Sequence, residues 1–279
     1  MPGTGAVRNG AVAVLTPDAI RAAYDAAKPG AHEYELHSEL HVAGKILRFP
    51  FVETGAGLEP ADWFARVHGD GHPHEPGLLA CLLALAGGRR IAFTDIGAAF
   101  GYWSAVAGAL FPDCTITVVE PDRAMAAYAR SVAPGGVTLI EALVAESGGS
   151  ARVDRRNFAY SPDGKGSSEL PTVSLEEVVP PASNALDVIK IDVEGWQARF
   201  LPGSADMLAK RGAVVLLELD GPAKLAPFDA SNADTLAPLQ ERGYRMLCAD
   251  HRAPDFVFEE MPLPPEANAL ALLLPPERI

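Results

Sequence analysis

Two apolar runs, each leading straight into a charge, constrain the fold of this chain more than any other feature. Ile91-Ala-Phe-Thr94 leads to Asp95-Ile96-Gly97, and Thr115-Ile-Thr-Val-Val119 leads to Glu120-Pro121. Between them, Tyr102 to Leu110 reads as a helix. A strand, a glycine turn opening a helix, and a second strand ending in a carboxylate make half of a doubly wound nucleotide site. A carboxylate at the tip of the second strand can accept both hydroxyls of a ribose. Glu120 follows Gly97 by 23 residues, the interval expected of that partner. The plainer readings are a tight turn without ligand and an acid complementing a helix N-terminus. Turn and carboxylate together favour the ligand.

The glycine spacing narrows that ligand. Gly97 and Gly101 are four apart, with Ala98 and Ala99 in between, so the G-x-G-x-x-G cradle for a pyrophosphate is missing. Asp95 precedes the turn, where it would repel a phosphate and suit a cation. A ligand with a ribose, no phosphate and a positive charge fits, and S-adenosylmethionine has all three properties.

Composition supports a small-molecule enzyme. With 23 basic and 36 acidic residues the formal charge is −13, which disfavours nucleic acid as a partner. The longest apolar run, Leu78 to Ala86, is about half the ~20 residues of a membrane helix. The N-terminus lacks a signal-peptide layout, and Cys81, Cys114 and Cys248 form no C-x-x-C pair. The expectation is a cytoplasmic enzyme without membrane contact. Its apolar, proline-broken ends are compatible with a homodimer.

Residues 1–75 form an N-terminal appendage, and a βα rhythm fills 76–279. In the appendage, Thr16 and Pro17 open a helix stopped by Pro29-Gly30, and Glu35 to Phe51 suits a hairpin around Gly44. From residue 76, a helix stopped by Gly87-Gly88 precedes the first strand. Further strands are expected at 137–140, 186–192, 214–219, 244–248 and 269–274. A helix should run from Trp196 to about Ala209, and residues 154–171, polar and glycine-rich through Gly164 and Gly166, read as a mobile loop. Alternating apolar strands and helices imply a mainly parallel sheet covered on both faces.

The stretch Ile189-Lys-Ile-Asp-Val-Glu-Gly195 ends an apolar strand with three charges, and an extended backbone would put Lys190, Asp192 and Glu194 on one side. Ordinary strand-end solvation explains one such charge easily and three poorly. Together with Asp95-Ile-Gly-Ala-Ala-Phe-Gly101, Val119-Glu-Pro121 and Leu201-Pro-Gly-Ser204, this stretch resembles the FkbM family of S-adenosylmethionine-dependent methyltransferases. The resemblance covers roughly residues 75–275. It implies an α/β class I methyltransferase (Rossmann-like) fold with a seven-stranded sheet, and O-methylation of a sugar or natural-product hydroxyl in natural product biosynthesis. By resemblance, Asp95, Gly97 and Gly101 line the methionine part of the cofactor, with Ala98 and Phe100 in the same turn. Glu120 with Pro121 holds the ribose, Glu141 and Ala142 lie beside the adenine, and Asp192 and Glu194 face the methyl group and the acceptor. The chain departs from the family at Ala99 (usually Asn), at Glu176 in Leu175-Glu176 (usually Asp) and at Gln197 (usually an acid).

Asp192 is the first candidate for base or acceptor-orienting residue, Glu194 the second and His74, reaching in from the appendage, the third. The appendage and the 154–171 loop are expected to cover the acceptor pocket. His37, Glu39 and His41 share a strand face, as do His72 and His74, but no third strong ligand accompanies either set, so no metal site is assigned. Two alternatives are a catalytically silent S-adenosylmethionine-binding protein, argued by Ala99 and Gln197, and a nicotinamide-dependent oxidoreductase, argued by the ribose carboxylate alone.

Overall fold

The computed structural model describes residues 15–55, 57–86, 90–156, 159–162, 168–180, 184–250 and 252–276. The expected helix stop at Gly87-Gly88, and Gly164 and Gly166, lie outside the described residues.

Helix α1 (Pro17–Ala27) opens as its sequence suggests: the Thr16 hydroxyl accepts the Ala19 amide, and Pro17 occupies the first turn. Strands β1 (Gly30–Glu33), β2 (His37–Val42) and β3 (Lys45–Pro50) form an antiparallel sheet. Ala43 and Gly44, both at positive φ, make the expected hairpin turn between β2 and β3. Glu39 on β2 bonds His37 (3.2 Å), His41 (2.9 Å) and Arg48 (2.7 Å), so these histidines serve a buried carboxylate. Helix α2 (Pro60–His68) follows, burying Trp63 and Phe64.

The βα rhythm then runs through α3 (Pro76–Leu85), β4 (Ile91–Ile96), α4 (Tyr102–Leu110), β5 (Thr115–Val119), α5 (Arg123–Val132) and β6 (Thr138–Ile140). Next comes a departure from expectation. Strands β7 (Leu143–Ala145), β8 (Gly149–Arg156), β9 (Ala159–Pro162) and β10 (Ser168–Ser174) build a second sheet where a loop was expected over 154–171. Strand β10 pairs antiparallel with β8 from Ser168–Val153 to Thr172–Gly149. Both strands are largely solvated, and the cross-strand pairing that orders them leaves little apolar alternation in the sequence.

The chain continues through α6 (Leu175–Val178), β11 (Leu186–Ile191), α7 (Ala205–Arg211), β12 (Val214–Leu219), α8 (Pro222–Leu225), α9 (Asn232–Glu241), β13 (Arg245–Ala249), β14 (Glu259–Glu260) and β15 (Ala269–Leu274). The helix expected from Trp196 is instead two short 3-10 turns, Trp196–Arg199 and Pro202–Ser204, ahead of α7. Pro202 has no amide to continue an α-helical ladder.

The main sheet has the order β14-β13-β15-β12-β11-β4-β5-β6. From β12 to β6 all pairings are parallel, and β15 runs antiparallel to both its neighbours. This is the α/β sheet the sequence implied, with the two-residue β14 added at one edge. Side chains alternate between two cores. Phe93, Val188, Val214 and Leu216 face α1, α3, α4 and the appendage. Ile189, Ile191, Val215 and Leu217 face the 3-10 turns, α7 and α9. The described part of the appendage joins the first core: Phe49 stacks on Phe64 (4.7 Å between ring centres) and on Tyr102 of α4 (5.1 Å).

Gly101, at φ +70° before α4, is where α4 and α5 touch. A Cβ there would lie 2.7 Å from that of Ala129. Gly101→Ala should therefore lower the unfolding free energy by about 2–4 kcal/mol, combining left-handed strain with overpacking. Urea denaturation checks this, and an unchanged midpoint would show that α5 can yield.

Candidate active site

Strand parity explains where the charges meet. Asp95 on β4, Lys190 on β11 and Glu218 on β12 share the side of the sheet that carries Phe93, Val188 and Leu216. Lys190 pairs in register with Asp95 and with Leu216, which brings Asp192 level with Glu218. The Lys190 ammonium donates to the Gly97 carbonyl (2.9 Å) and sits 3.4 Å from both Asp95 Oδ1 and Asp192 Oδ2. Burial alone would strip its proton, but Asp192, Asp95, Glu75 and Glu218 together outweigh burial and hold it charged. Asp95 also accepts the Ser104 hydroxyl (2.7 Å).

Above this buried cation opens a cavity of about 660 Å³ at the carboxyl ends of the strands, within the range of small-molecule sites. One half is the glycine corner. Gly97, at φ +73°, admits no side chain, because a Cβ would meet the Asp192 carbonyl at 1.8 Å. The corner's amides are spent internally. Gly97 and Ala98 donate to the Val119 carbonyl, Ala99 to Glu120 Oε2 (2.9 Å), and Gly101 to the Ala98 carbonyl. Those four amides are not available to a pyrophosphate. Glu120 takes a second amide, from Asp122 (2.9 Å), and lines the cavity. Burial pushes its carboxyl up to about 7 against the pull of those two amides. Ala142, Leu143, Met125 and Tyr160 complete this half.

The other half is walled by the appendage. Trp63, Arg66, His72, His74 and Glu75 line it together with Trp103, Asp192, Glu194 and Glu218. Glu75, at φ +46° just before α3, accepts the Trp103 indole N–H (3.0 Å). Burial would raise the Asp192 carboxyl, but Lys190 and then a hydrogen bond with Glu218 outweigh it and hold Asp192 ionised. Burial, and next the Asp192 charge, keep a proton on Glu218.

The residues singled out in the sequence divide accordingly. Gly97, Ala98, Glu120, Pro121, Ala142, Asp192, Glu194 and His74 line the cavity. Asp95 lies beneath it as a partner of Lys190. Phe100 is buried against Tyr128 (5.3 Å) and Trp63 (5.9 Å), and Gly101 is the helix contact described above. Glu141 turns outward to Arg123 (3.4 Å). Lys190, Asp192 and Glu194 do not form one extended row. The strand stops at Ile191, Glu194 adopts φ +55°, and its carboxylate pairs with Lys224. Burial depresses His74 to about 3, leaving it neutral and a weak base. Gln197 suits its place, since it donates to Asp220 Oδ2 (3.0 Å), which also takes the Gly195 amide. Lys190, Glu75, Glu218, Trp63 and Trp103 had no assigned role in the sequence. A lone acid inside the apolar run Val214–Leu219 was the one signal for Glu218.

A family model described as the methyltransferase FkbM domain matches residues 95–246, more than half of the chain. No curated protein matches at a significant level. Among solved structures, the chain is similar to a methyltransferase FkbM from Methylobacillus flagellatus KT, with 15% identity and a TM-score of 0.45. That match covers 65% of this chain but 43% of the other, so the chain spans less than half of that protein's length. It is also similar to a precorrin-6y C5,15-methyltransferase from Geobacter metallireducens GS-15 (17% identity, TM-score 0.38, 70% of this chain and 84% of that one). A third is the N-methyltransferase NodS from Bradyrhizobium japonicum WM9 in complex with S-adenosyl-L-homocysteine (13%, 0.38, 72% and 85%).

Two substitutions test this geometry. Lys190→Met should destabilise the fold by about 3–5 kcal/mol by leaving buried carboxylates uncompensated. Asp192 is held below its usual range and Lys190 above, so the pair contributes fully between roughly pH 5 and 9 and is lost in acid as Asp192 protonates. Urea titrations at several pH values should show a deficit that is constant between roughly pH 5 and 9 and shrinks in acid and at strongly alkaline pH. Ala99 sits at φ +46°, a region Asn tolerates better. Ala99→Asn should raise stability by roughly 0.5–1 kcal/mol in thermal melts, and a loss would show that the added side chain clashes with the corner.

Proposed function

The chain belongs to the FkbM methyltransferase domain family, and from that premise we propose that it transfers a methyl group from S-adenosylmethionine to a hydroxyl of a small molecule, a sugar or a natural product. The observation that carries the reading is Glu120 lining a cavity beside a glycine corner whose Gly97, Ala98, Ala99 and Gly101 amides are already bonded within the chain. A carboxylate in that position suits a ribose, and the neighbouring Gly97 and Ala98 would hold the amino-acid part while Ala142 and Leu143 bound the base. Asp95 and Asp192 supply negative charge near a cationic sulfur.

Bound in this cavity, S-adenosylmethionine would supply a methyl group made electrophilic by its sulfonium. The chain then has to align the acceptor oxygen with that methyl and receive a proton. Alignment can supply ~7–11 kcal/mol. A general base adds 10²–10⁴-fold, only about 3–5 kcal/mol. Walls that hold the acceptor therefore matter more than any single base. Among the candidates, His74 is neutral and weakly basic, Glu194 is engaged by Lys224, and Asp192 is anionic. Asp192 suits accepting the hydrogen bond that orients the hydroxyl. No helix among the described residues is long and apolar enough to cross a membrane. The reading extends to a cytoplasmic enzyme of natural product biosynthesis, with a homodimer compatible with its apolar ends.

Ribose hydroxyls donate to the ionised form of Glu120, whose carboxyl sits near 7 in the unliganded chain. S-adenosylhomocysteine should bind at micromolar concentration above pH 7 and lose about tenfold in affinity per unit below it. Glu120→Gln should cost at least about tenfold at pH 8 and flatten the profile. Calorimetric titration reads both; an affinity indifferent to pH and to the substitution refutes the ribose role.

A further inference from the structure

The second sheet brings to the nucleoside half of the cavity a polar group that its own fold does not use. The geometry points to the Tyr160 hydroxyl as the donor that completes a ribose site, a role that rests on the methyltransferase reading above. One ribose hydroxyl would lie between Glu120, which accepts its proton, and Tyr160, which donates to its oxygen.

Strand register sets the position. Arg155 on β8 lies directly opposite Tyr160 on β9, so the two side chains share one face of the hairpin. Arg155 is ion-paired with Asp122, and Asp122 gives its amide to Glu120 Oε1 (2.9 Å). The Asp122 carboxylate is itself fixed, because it caps α5 by accepting the Ala124 and Met125 amides. Tyr160 and Glu120 line the same cavity, linked through this pair. The rest of the face is apolar: Ala151 and Val153, which alternate with Arg155 along β8, and Leu170, opposite Ala151, pack with Tyr160 on the second core. Strand β9 also lies against the 3-10 turns Trp196–Arg199 and Ala226–Phe228.

Core packing accounts for the ring of Tyr160 but not for its hydroxyl. Among the described residues the phenol has no hydrogen-bond partner. Withdrawing a hydroxyl from water without a partner is unfavourable, and phenylalanine would supply the ring without that cost. Burial, and next the Glu120 charge, keep the proton on the phenol, so it faces the cavity as a donor.

Ribose chemistry supplies the matching acceptor. A ribose hydroxyl that donates to Glu120 keeps lone pairs that require a donor of their own. The Gly97, Ala98, Ala99 and Gly101 amides are already bonded within the chain. Each Glu120 oxygen takes one amide, from Ala99 or from Asp122, and retains a lone pair for a further donor. Carboxylate and phenol thus offer the two opposite roles that one hydroxyl needs, from two separate elements of the fold.

The test titrates the full chain calorimetrically at pH 8 with S-adenosylhomocysteine and with its 2′-deoxy and 3′-deoxy analogues. The wild-type chain should bind each deoxy analogue more weakly than the ribose compound. Tyr160→Phe should weaken S-adenosylhomocysteine about three- to tenfold and reduce the ribose-over-deoxy preference at one of the two positions by the same factor. Without ligand, the variant should melt no lower than the wild type, because the deleted hydroxyl bonds nothing else in the chain. Should Tyr160→Phe fail to fold, Tyr160→Met, which also lacks a donor, carries the same comparison of preferences. A preference unchanged at both positions overturns the inference even if overall affinity falls, since a uniform loss reports the ring alone. A wild-type chain that binds no S-adenosylhomocysteine brings down the methyltransferase reading, and this role of Tyr160 with it.

Discussion

One buried ammonium organises the centre of this molecule. Lys190 reaches from β11 to the carbonyl of Gly97, lies against Asp95 at the end of β4, and faces Asp192 across the mouth of the sheet. The corner that would receive a nucleoside and the carboxylate that would meet the methyl group are thus tied to one side chain. A hydrophobic residue at position 190 would leave two acids buried without that counter-charge, at a cost of about 3–5 kcal/mol. The same cation keeps Asp192 ionised while its neighbour Glu218 holds a proton. Two carboxyl groups side by side thereby acquire opposite hydrogen-bonding roles.

Much of the main sheet is legible in the sequence because burial on both faces leaves near-continuous apolar strands. Ile91–Ile96, Val214–Leu219 and Ala269–Leu274 stand with the bounds read from the residues. The second sheet is hidden for the opposite reason. Its strands Gly149–Arg156 and Ser168–Ser174 are polar and solvated, and only pairing between segments far apart in sequence orders them. Local spacing likewise reveals the glycine corner and Glu120, because both lie within one βαβ unit. It could not reveal Glu75, which enters the cavity through a left-handed turn and an indole 28 residues away. Nor could it show that Glu194 turns toward Lys224, since the end of β11 depends on the turn closed from Trp196 to Val193.

The two halves of the cavity differ in kind. The glycine corner is built from backbone: its amides satisfy Val119, Ala98 and Glu120, and its shape follows from positive φ at Gly97, Ala99 and Gly101. Such a surface tolerates little variation, because a single Cβ at Gly97 would collide with the Asp192 carbonyl. The opposite wall is built from side chains, among them Trp63, His74, Glu75 and Glu218. Conserved handling of one ligand and diversity in the other would both follow from that division of labour.

The stack of Phe49, Phe64 and Tyr102 has a consequence for modularity. His68 adds to it, 2.7 Å from the Ser38 hydroxyl and 3.2 Å from that of Tyr102. The helix α2 that helps wall the second half of the cavity, and the strands packed against it, are wedged into the same interior as α4 and cannot be lifted off as an independent cap. Grafting this wall onto a related scaffold would carry along half a hydrophobic interior. New selectivity in such a protein is therefore reached by exchanging individual residues on an immovable wall rather than by trading whole segments.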